Sequence, residues 1–174
     1  MQLSWSHKLF LKINGHIGKN HRLDLFMRFC GKWLVYFIVL FIFFWIIFES
    51  GNGEAVGRLW FFVKVVAVSY AISLTIGFVA KKSRPEIEMP TIKQLIYTIG
   101  LWKSFPSDHT NLSFLLIFLA IIFGLSVYWY VPLLIGAGLV AVGRVYCGVH
   151  YPRDILGGLF LAIAVSLSVN YFFI

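Results

Sequence analysis

Three short polar clusters in this sequence each adjoin a long apolar segment. The clusters are Lys81-Lys82-Ser83-Arg84-Pro85, Pro106-Ser107-Asp108-His109, and the stretch from Arg144 to Asp154 that contains His150. Arginine binds phosphate oxygens in a bidentate manner, and the unpaired N–H groups at a helix start attract anions. Pro106 and Pro152 are typical of helix starts. A helix that begins at Pro106 would leave the N–H groups of Ser107, Asp108 and His109 without intrahelical partners. The clusters therefore predict a phosphate site.

The two histidines of these clusters predict phosphoryl-transfer chemistry that needs no metal. Asp154 follows His150 by four residues. It can accept a hydrogen bond from one imidazole nitrogen, which fixes the tautomer and makes the other nitrogen more nucleophilic. His109 then protonates the leaving oxygen. The neighbouring acids form no obvious carboxylate cage for Mg²⁺. We therefore expect His150, His109 and Asp154 to be catalytic, with no metal and no cofactor.

The composition places these clusters in a membrane protein. The chain of 174 residues is 60% hydrophobic and 13% charged, with a mean hydropathy of +0.85. Soluble domains are about 45–50% apolar and about 25% charged. The net charge of +8 indicates contact with anionic lipid headgroups rather than nucleic acid. Two cysteines, Cys30 and Cys147, are too few for a disulfide framework.

The predicted fold is all-α, a polytopic membrane bundle of five to six helices in one domain, residues 1–174. Five apolar segments approach or exceed the ~17–25 residues that cross a bilayer as a helix. These spans are predicted at about residues 33–48, 55–80, 109–125, 128–143 and 155–173. In residues 1–32, Leu9, Phe10, Ile13 and Ile17 recur at helical spacing and predict an N-terminal amphipathic, interfacial helix.

The loop between the second and third spans contains another helical pattern. Its apolar residues are Ile92, Leu95, Ile96, Ile99 and Trp102. They follow the i, i+3, i+4, i+7 spacing and predict a short helix over 91–103 that lies on the membrane. Such a helix would either pack against the bundle or shape a lateral opening for a lipid.

The order of the spans puts all three clusters on one face of the bilayer. The second span ends at Arg84 and the third begins near Ser107; the fourth returns to end at Arg144, and the fifth starts after Asp154. This count needs only helices that cross fully, which backbone hydrogen bonding in lipid enforces. The same face holds 13 of the 15 Lys and Arg residues. The positive-inside rule would make it cytoplasmic, but cations that bind phosphate weaken that rule here.

The three motifs resemble those of the type-2 phosphatidic acid phosphatase superfamily of membrane lipid phosphatases. That family carries Lys-x6-Arg-Pro, Pro-Ser-x-His and Ser-Arg-x5-His-x3-Asp motifs. The matching residues here, in the same order, are Arg84-Pro85, Pro106-Ser107-Asp108-His109, and Arg144 with His150 and Asp154. The resemblance implies a helical bundle and a phosphohistidine at His150, supported by Asp154, with His109 as general acid. It implies phosphate binding by Arg84, Ser107, Arg144 and the backbone around Asp108.

Two positions depart from the family motifs. Gly77 stands where the family has its lysine, and Gly143 stands where it has the serine before the second arginine. We expect Lys81 or Lys82 to bind phosphate in place of the missing lysine. Lys81 lies three residues before Arg84, on roughly the same face if the helix continues.

The form of the second motif, Ser104 to His109, resembles small bacterial members of the family. Those enzymes act on undecaprenyl diphosphate, phosphatidylglycerol phosphate or the 1-phosphate of lipid A, mostly at the periplasmic face. The resemblance implies a metal-independent lipid phosphatase in the bacterial cytoplasmic membrane, with an extracytoplasmic site. Its partners would be a membrane lipid phosphate and the bilayer, with no nucleic acid and no obligate protein partner.

Two alternative functions use the same residues. A membrane serine hydrolase would use Ser107 as nucleophile with His150 and Asp154. A non-enzymatic transporter or channel would line an anion or lipid path with Arg84 and Arg144. Such a path needs polar residues deep in the spans, and the third and fifth predicted spans hold almost none.

Overall fold

The computed structural model describes residues 3–51, 53–98 and 103–173, and within them the chain is helical without strands. The helices are α1 (Trp5–Asn14), α2 (His21–Lys32), α3 (Leu34–Glu49), α4 (Glu54–Ala80), α5 (Pro85–Glu88), α6 (Asp108–Ile122), α7 (Tyr130–Tyr146) and α8 (Pro152–Phe173), with a 3₁₀ turn at Val127–Trp129. The all-helical membrane bundle is thus confirmed. A helix occupies each of the five predicted spans, and α1, α2 and the single-turn α5 are additional.

α6 lies at the centre of the bundle, where it packs against α3, α4, α7 and α8. Leu115, Ile117 and Leu119 of α6 have no exposed surface. A helix with neighbours on all sides is apolar all round, which is why this segment shows no amphipathic pattern. The central position of α6 means that its first residue, Asp108, lies among the ends of the surrounding helices.

The first two turns of α6 carry buried polar side chains, so the expectation of almost no polar residues in the third span is wrong. The Asn111 amide donates to the Ser69 hydroxyl of α4 at 2.8 Å. The Ser113 hydroxyl donates to the main-chain oxygen of His109 at 2.8 Å. These groups satisfy one another inside the protein, as buried polar groups must, and they belong to the packing below the polar end.

Three helical stretches of the described residues are long and apolar enough to cross a bilayer: Glu54–Glu88, Val127–Tyr146 and Pro152–Phe172. α2 and α3 reach this length only as a pair, which is bent by 47°. α6 has 15 residues, about 22 Å at 1.5 Å per residue, against a hydrocarbon core of about 30 Å. The first and third predicted spans therefore stay predictions.

The N-terminal region forms two helices where the sequence predicts one. α1 packs against α7 and α8, and its Phe10 has no exposed surface. The Phe10 ring meets the Tyr151 ring edge to face, with 5.1 Å between centroids. Ile17 lies after the end of α1, in a turn, and is buried. Phe10 and Ile17 thus contact the protein at the end of the bundle where α8 begins, whereas Leu9 is 41% exposed.

The predicted short helix over 91–103 is wrong for residues 91–98, which are not helical. The Leu95 N–H donates to the main-chain oxygen of Cys147 at 3.1 Å, and Ile96 is buried beside Tyr146. These contacts with the end of α7 replace the bonds that a helix would make within itself. Ile99 and Trp102 lie outside the described residues.

α2 and α7 cross at two glycines. A Cβ atom on Gly143 would lie 2.6 Å from the main-chain nitrogen of Gly31, and a Cβ on Gly31 would lie 2.8 Å from the Gly143 oxygen. Because both obstructing atoms are backbone, no rotamer change can relieve the contact. The crossing explains why glycine replaces the family serine at position 143.

We predict that Gly143→Ala lowers the free energy of unfolding by about 1–3 kcal/mol, the usual cost of overpacking. Gly138→Ala in the same helix is the matched control, since a Cβ there meets nothing within 4 Å. The measurement is the thermal unfolding temperature of both purified variants in detergent. Equal unfolding temperatures for the two variants would contradict a close α2–α7 crossing.

Candidate active site

A cavity of about 450 Å³ opens at the end of the bundle where α4 ends and α6 and α8 begin. Its lining includes five residues that the sequence predicts for the site: Arg84, Asp108, His109, Arg144 and His150. Lys32, Tyr36 and Tyr70 also line it, and residues 96–98 form part of its wall. The structure therefore brings the three polar clusters together around one space.

In the part of the chain that the structure describes, the two arginines are each held by one main-chain carbonyl group, which leaves most of their N–H donors free. Nη1 of Arg84 donates to the Val149 oxygen at 3.2 Å, and Nη1 of Arg144 donates to the Gly31 oxygen at 3.0 Å. The residues are only 9% and 4% exposed. Among the described residues, neither Nε atom has a hydrogen-bond partner, although both are buried. Each guanidinium thus has hydrogen-bonding capacity left over beside the cavity, which favours an anion as its ligand.

Burial does not remove the charge of Arg84, which lies between α4 and α5. An arginine side chain does not deprotonate in proteins, so it still carries its full positive charge into the cavity. That charge is the reason the cavity suits phosphate rather than a neutral headgroup.

Asp154 is fully buried behind His150, in the first turn of α8. Its Oδ2 atom accepts hydrogen bonds from the Ser104 hydroxyl at 2.6 Å and the Tyr151 N–H at 2.8 Å. The same atom lies 3.7 Å from Nδ1 of His150, a charge contact that is longer than a hydrogen bond. The carboxylate thus sits on the Nδ1 side of the ring, which leaves Nε2 as the nitrogen available to a ligand.

Only one of the two predicted helix starts offers free N–H groups. At α8, the Tyr151 N–H bonds to Asp154 and the Arg153 N–H donates to the Ser6 hydroxyl at 3.1 Å. At α6, within the described residues, the N–H groups of Asp108 and His109 have no partner. These two groups, in a helix N-terminus beside the cavity, suit an anion.

The structure places Ser107 behind the cavity. It caps α6, so Pro106 precedes the cap and is not the first helical residue. The Ser107 N–H donates to the Asp154 main-chain oxygen at 3.0 Å, and its hydroxyl accepts from Thr110 at 3.1 Å. The side chain has no exposed surface. Its predicted contact with phosphate is therefore corrected, and a serine nucleophile at this position is not accessible.

A family comparison agrees with this arrangement. The family model of the PAP2 superfamily matches residues 58–173, about two thirds of the chain. The chain belongs to the PAP2 superfamily. Its membership confirms the predicted class of enzyme, a membrane lipid phosphatase. The lipid and the roles of individual residues stay predictions.

Curated relatives and a solved structure are similar to this PAP2 chain over most of its length. The Bacillus subtilis undecaprenyl-diphosphatase BcrC is 29% identical over 163 residues, 92% of this chain and 80% of the relative. The bacitracin transport permease protein BcrC of Bacillus licheniformis is 29% identical over 157 residues, 88% of this chain and 73% of the relative. The crystal structure of Aquifex aeolicus LpxE, 22% identical, superposes with a TM-score of 0.76 over 98% of both chains and shows the same fold.

Lys81 and Lys82 do not replace the missing PAP2 lysine in this cavity. Both are exposed, and neither lines the cavity. Lys81 ends α4 in the left-handed conformation, with φ of 47°, so residues 81–84 do not continue the helix that would align Lys81 with Arg84. The exposure of both lysines and this break in the helix contradict the expectation that Lys81 or Lys82 binds phosphate.

Sequence reasoning missed three residues that lie at or beside the cavity. Lys32 lines it from the end of α2, Ser104 bonds to Asp154, and Lys103 makes an ion pair with Asp108 at 2.6 Å. Lys103 and Ser104 lie within three residues of Pro106, and this closeness to the second motif was a usable signal. No local pattern marked Lys32, because only the bend between α2 and α3 brings it to the cavity.

We predict that the His150 imidazole stays neutral far into acid. Burial lowers its pKa to about 4; Asp154 opposes this change, and Arg144 and Arg84 reinforce it. An imidazole is a nucleophile only when neutral, so the reactive form would persist at every pH well above 4. The check is ¹⁵N NMR of histidine-labelled protein at pH 5.5, with His150→Gln to assign the signal. A protonated His150 at that pH would contradict the buried site.

Proposed function

We propose that this PAP2 protein removes the terminal phosphate of undecaprenyl diphosphate through a phosphohistidine at His150. One observation carries the proposal: Arg84 and Arg144 line the same cavity as His109 and His150. Two fixed cations and a nucleophilic imidazole around one anion are what phosphoryl transfer requires.

In the first step, Nε2 of His150 attacks the terminal phosphorus. A P–N bond forms and the bond from phosphorus to the leaving oxygen breaks, with His109 giving a proton to that oxygen. Arg84 and Arg144 offset the charge on the equatorial oxygens, and the N–H groups of Asp108 and His109 add two donors at the start of α6. The lipid leaves with one phosphate fewer.

In the second step, water attacks the phosphohistidine. His109 takes a proton from the water, the P–N bond breaks and inorganic phosphate leaves, which restores both histidines. Asp154 stabilises the positive charge that the imidazole carries while it is phosphorylated, since its carboxylate lies 3.7 Å from Nδ1. The residues alone complete this cycle, so we propose metal-independent chemistry.

The surroundings of the cavity suit a lipid substrate. Tyr70 lines the cavity and two adjacent apolar spaces, of about 200 and about 470 Å³, which follow one another along α3, α4 and α6. A lipid tail can lie in these spaces while its headgroup occupies the cavity. Lys32, a third cation at the cavity, suits a diphosphate, whose second phosphate needs its own counter-charge. The name of the B. subtilis relative supports the same lipid.

We also propose where this single membrane-embedded domain works. The protein is a membrane protein. The bacterial cytoplasmic membrane, with the cavity on the extracytoplasmic side, is the location that fits the proposed substrate and the resemblance to periplasmic-facing enzymes. Three cations of this face, Lys32, Arg84 and Arg144, line the cavity, which reduces their weight as a signal of cytoplasmic orientation.

We predict that His150→Asn reduces phosphate release from undecaprenyl diphosphate by about 10⁴-fold or more, because the nucleophile is lost. Quenched reactions with substrate ³²P-labelled at the terminal phosphate should yield an acid-labile, base-stable label on the wild-type protein and none on the variant. His16→Asn is the control, since His16 lies exposed in the turn after α1 and, among the described residues, its imidazole bonds only to the Lys12 main-chain oxygen.

The same assay distinguishes substrates and mechanisms. Phosphatidylglycerol phosphate and lipid A, supplied at the same concentration, should release phosphate more slowly than undecaprenyl diphosphate. Label that survives in His150→Asn, or labelling of Ser107 by a fluorophosphonate, would overturn the phosphohistidine. Faster release from another lipid would leave the mechanism in place and change the substrate.

We predict that a cysteine at position 97 is labelled from outside the cell. Tyr97 at the cavity and Tyr128 in the turn before α7 are both 86% exposed, so Tyr97→Cys and Tyr128→Cys form a matched pair. The native Cys30 and Cys147 are buried and give little background. A membrane-impermeant maleimide should label position 97 in intact spheroplasts and position 128 only after lysis. The reverse pattern would place the cavity on the cytoplasmic side.

A further inference from the structure

The side chain of Lys103, just before the second motif, is buried between α4 and the start of α6. It is 5% exposed. Its Nζ donates to Oδ1 of Asp108 at 2.6 Å and to the Ser73 hydroxyl at 2.8 Å. The next residue is fixed as well, because the Ser104 N–H donates to the Lys82 oxygen at 3.0 Å. A buried ammonium requires such partners to offset its lost hydration.

The path of this side chain depends on Gly77 of α4. A Cβ atom on Gly77 would lie 2.7–2.9 Å from Cγ, Cδ and Cε of Lys103. The lysine chain therefore occupies the volume that any side chain at position 77 would take. Because residue 77 is glycine, the Lys103 side chain can pass beside α4 and bring its ammonium group to Asp108. A lysine at position 77 of α4 could also have reached this place.

Asp108 creates a difficulty for a phosphate site. Its carboxylate is 38% exposed and lines the cavity, and its own N–H is one of the two free donors at the start of α6. A phosphate bound at those donors would lie near a carboxylate of the same charge, and like charges at this range repel. Some other group must offset the Asp108 charge for the anion to bind.

We propose that Lys103 is a positioning residue for phosphate binding, which neutralises Asp108 and holds its carboxylate on the α4 side of the cavity. This inference rests on the proposed function, since it concerns the same anion. Lys103 does not line the cavity, so it acts on the phosphate through Asp108. The Ser73 hydroxyl, which donates to the same Asp108 oxygen at 2.6 Å, completes the group.

A double-mutant cycle with orthovanadate as the probe separates this role from the alternatives. Lys103→Met should weaken vanadate binding, measured by isothermal titration calorimetry, by about tenfold, a normal coupling for contacting charges. Asp108→Asn keeps the backbone donor and removes the charge. The vanadate affinity of the double variant Lys103→Met/Asp108→Asn should lie within about threefold of the affinity of Asp108→Asn alone.

The outcomes of this cycle have separate meanings. A double variant as weak as Lys103→Met would overturn the proposal, because the lysine would then contact the anion or only support the fold. Unchanged vanadate affinity in Lys103→Met would overturn it too. If the wild-type protein does not bind vanadate, the anion site itself is overturned. If it binds vanadate but releases no phosphate from the lipids, only the proposed function is overturned.

A transplant of the lysine provides a second test if Lys103→Met folds poorly. In the Lys103→Ala background the volume beside Gly77 is empty, so Gly77→Lys should place an ammonium near Asp108 from α4. Vanadate affinity should then exceed that of Lys103→Ala by about tenfold. Gly57→Lys in the same background is the control, since a Cβ there meets nothing within 4 Å. Equal affinities for the two transplants would contradict the proposal.

Discussion

The buried carboxylate of Asp154 is the point on which the active-site end of the bundle depends. Its side chain accepts hydrogen bonds from Ser104 and from the backbone of Tyr151, and its main-chain oxygen accepts the Ser107 N–H. One residue thus joins the segment before α6 to the start of α8 and lies beside His150. An ionised carboxylate is costly to bury unless it accepts hydrogen bonds, so the two bonds to Oδ2 stabilise this contact between the segments, while Oδ1 accepts none within the described residues.

Charge balance explains the rest of the site. Arg84, Arg144 and Lys103 are all largely removed from water, yet the structure treats them differently. Lys103 has a carboxylate, whereas the two arginines are held by carbonyl oxygens, which carry only partial charge and leave each Nε unpaired. The uncompensated positive charge is therefore localised at the cavity. A phosphate in the cavity, as proposed above, would offset this charge, so its binding would add to the electrostatic balance of the fold.

The sequence predicted the five long helices and five of the residues that line the cavity, because both signals are local. Long apolar runs define the helices, and the motifs mark where they end. Predictions failed where a distant segment decided the outcome. Residues 91–98 carry helical periodicity, but the Cys147 oxygen takes the Leu95 N–H. The start of α8 looked like an anion site, but Ser6 of the N-terminal region occupies one of its donors. No single-sequence pattern encodes such pairings, since they depend on the path of the whole chain.

The two departures from the PAP2 motifs have opposite physical origins. At Gly143 the backbone of α2 occupies the space of a side chain, so glycine there is a requirement of helix packing. At Gly77 the space is filled by the chain of Lys103, a group that could move or be replaced. Gly143 therefore matters for the stability of the bundle. Gly77 determines which residue, Lys103 rather than a residue on α4, supplies the positive charge beside Asp108. The absence of a motif residue need not mean the absence of its function, because another side chain can occupy the volume that the motif residue would have filled.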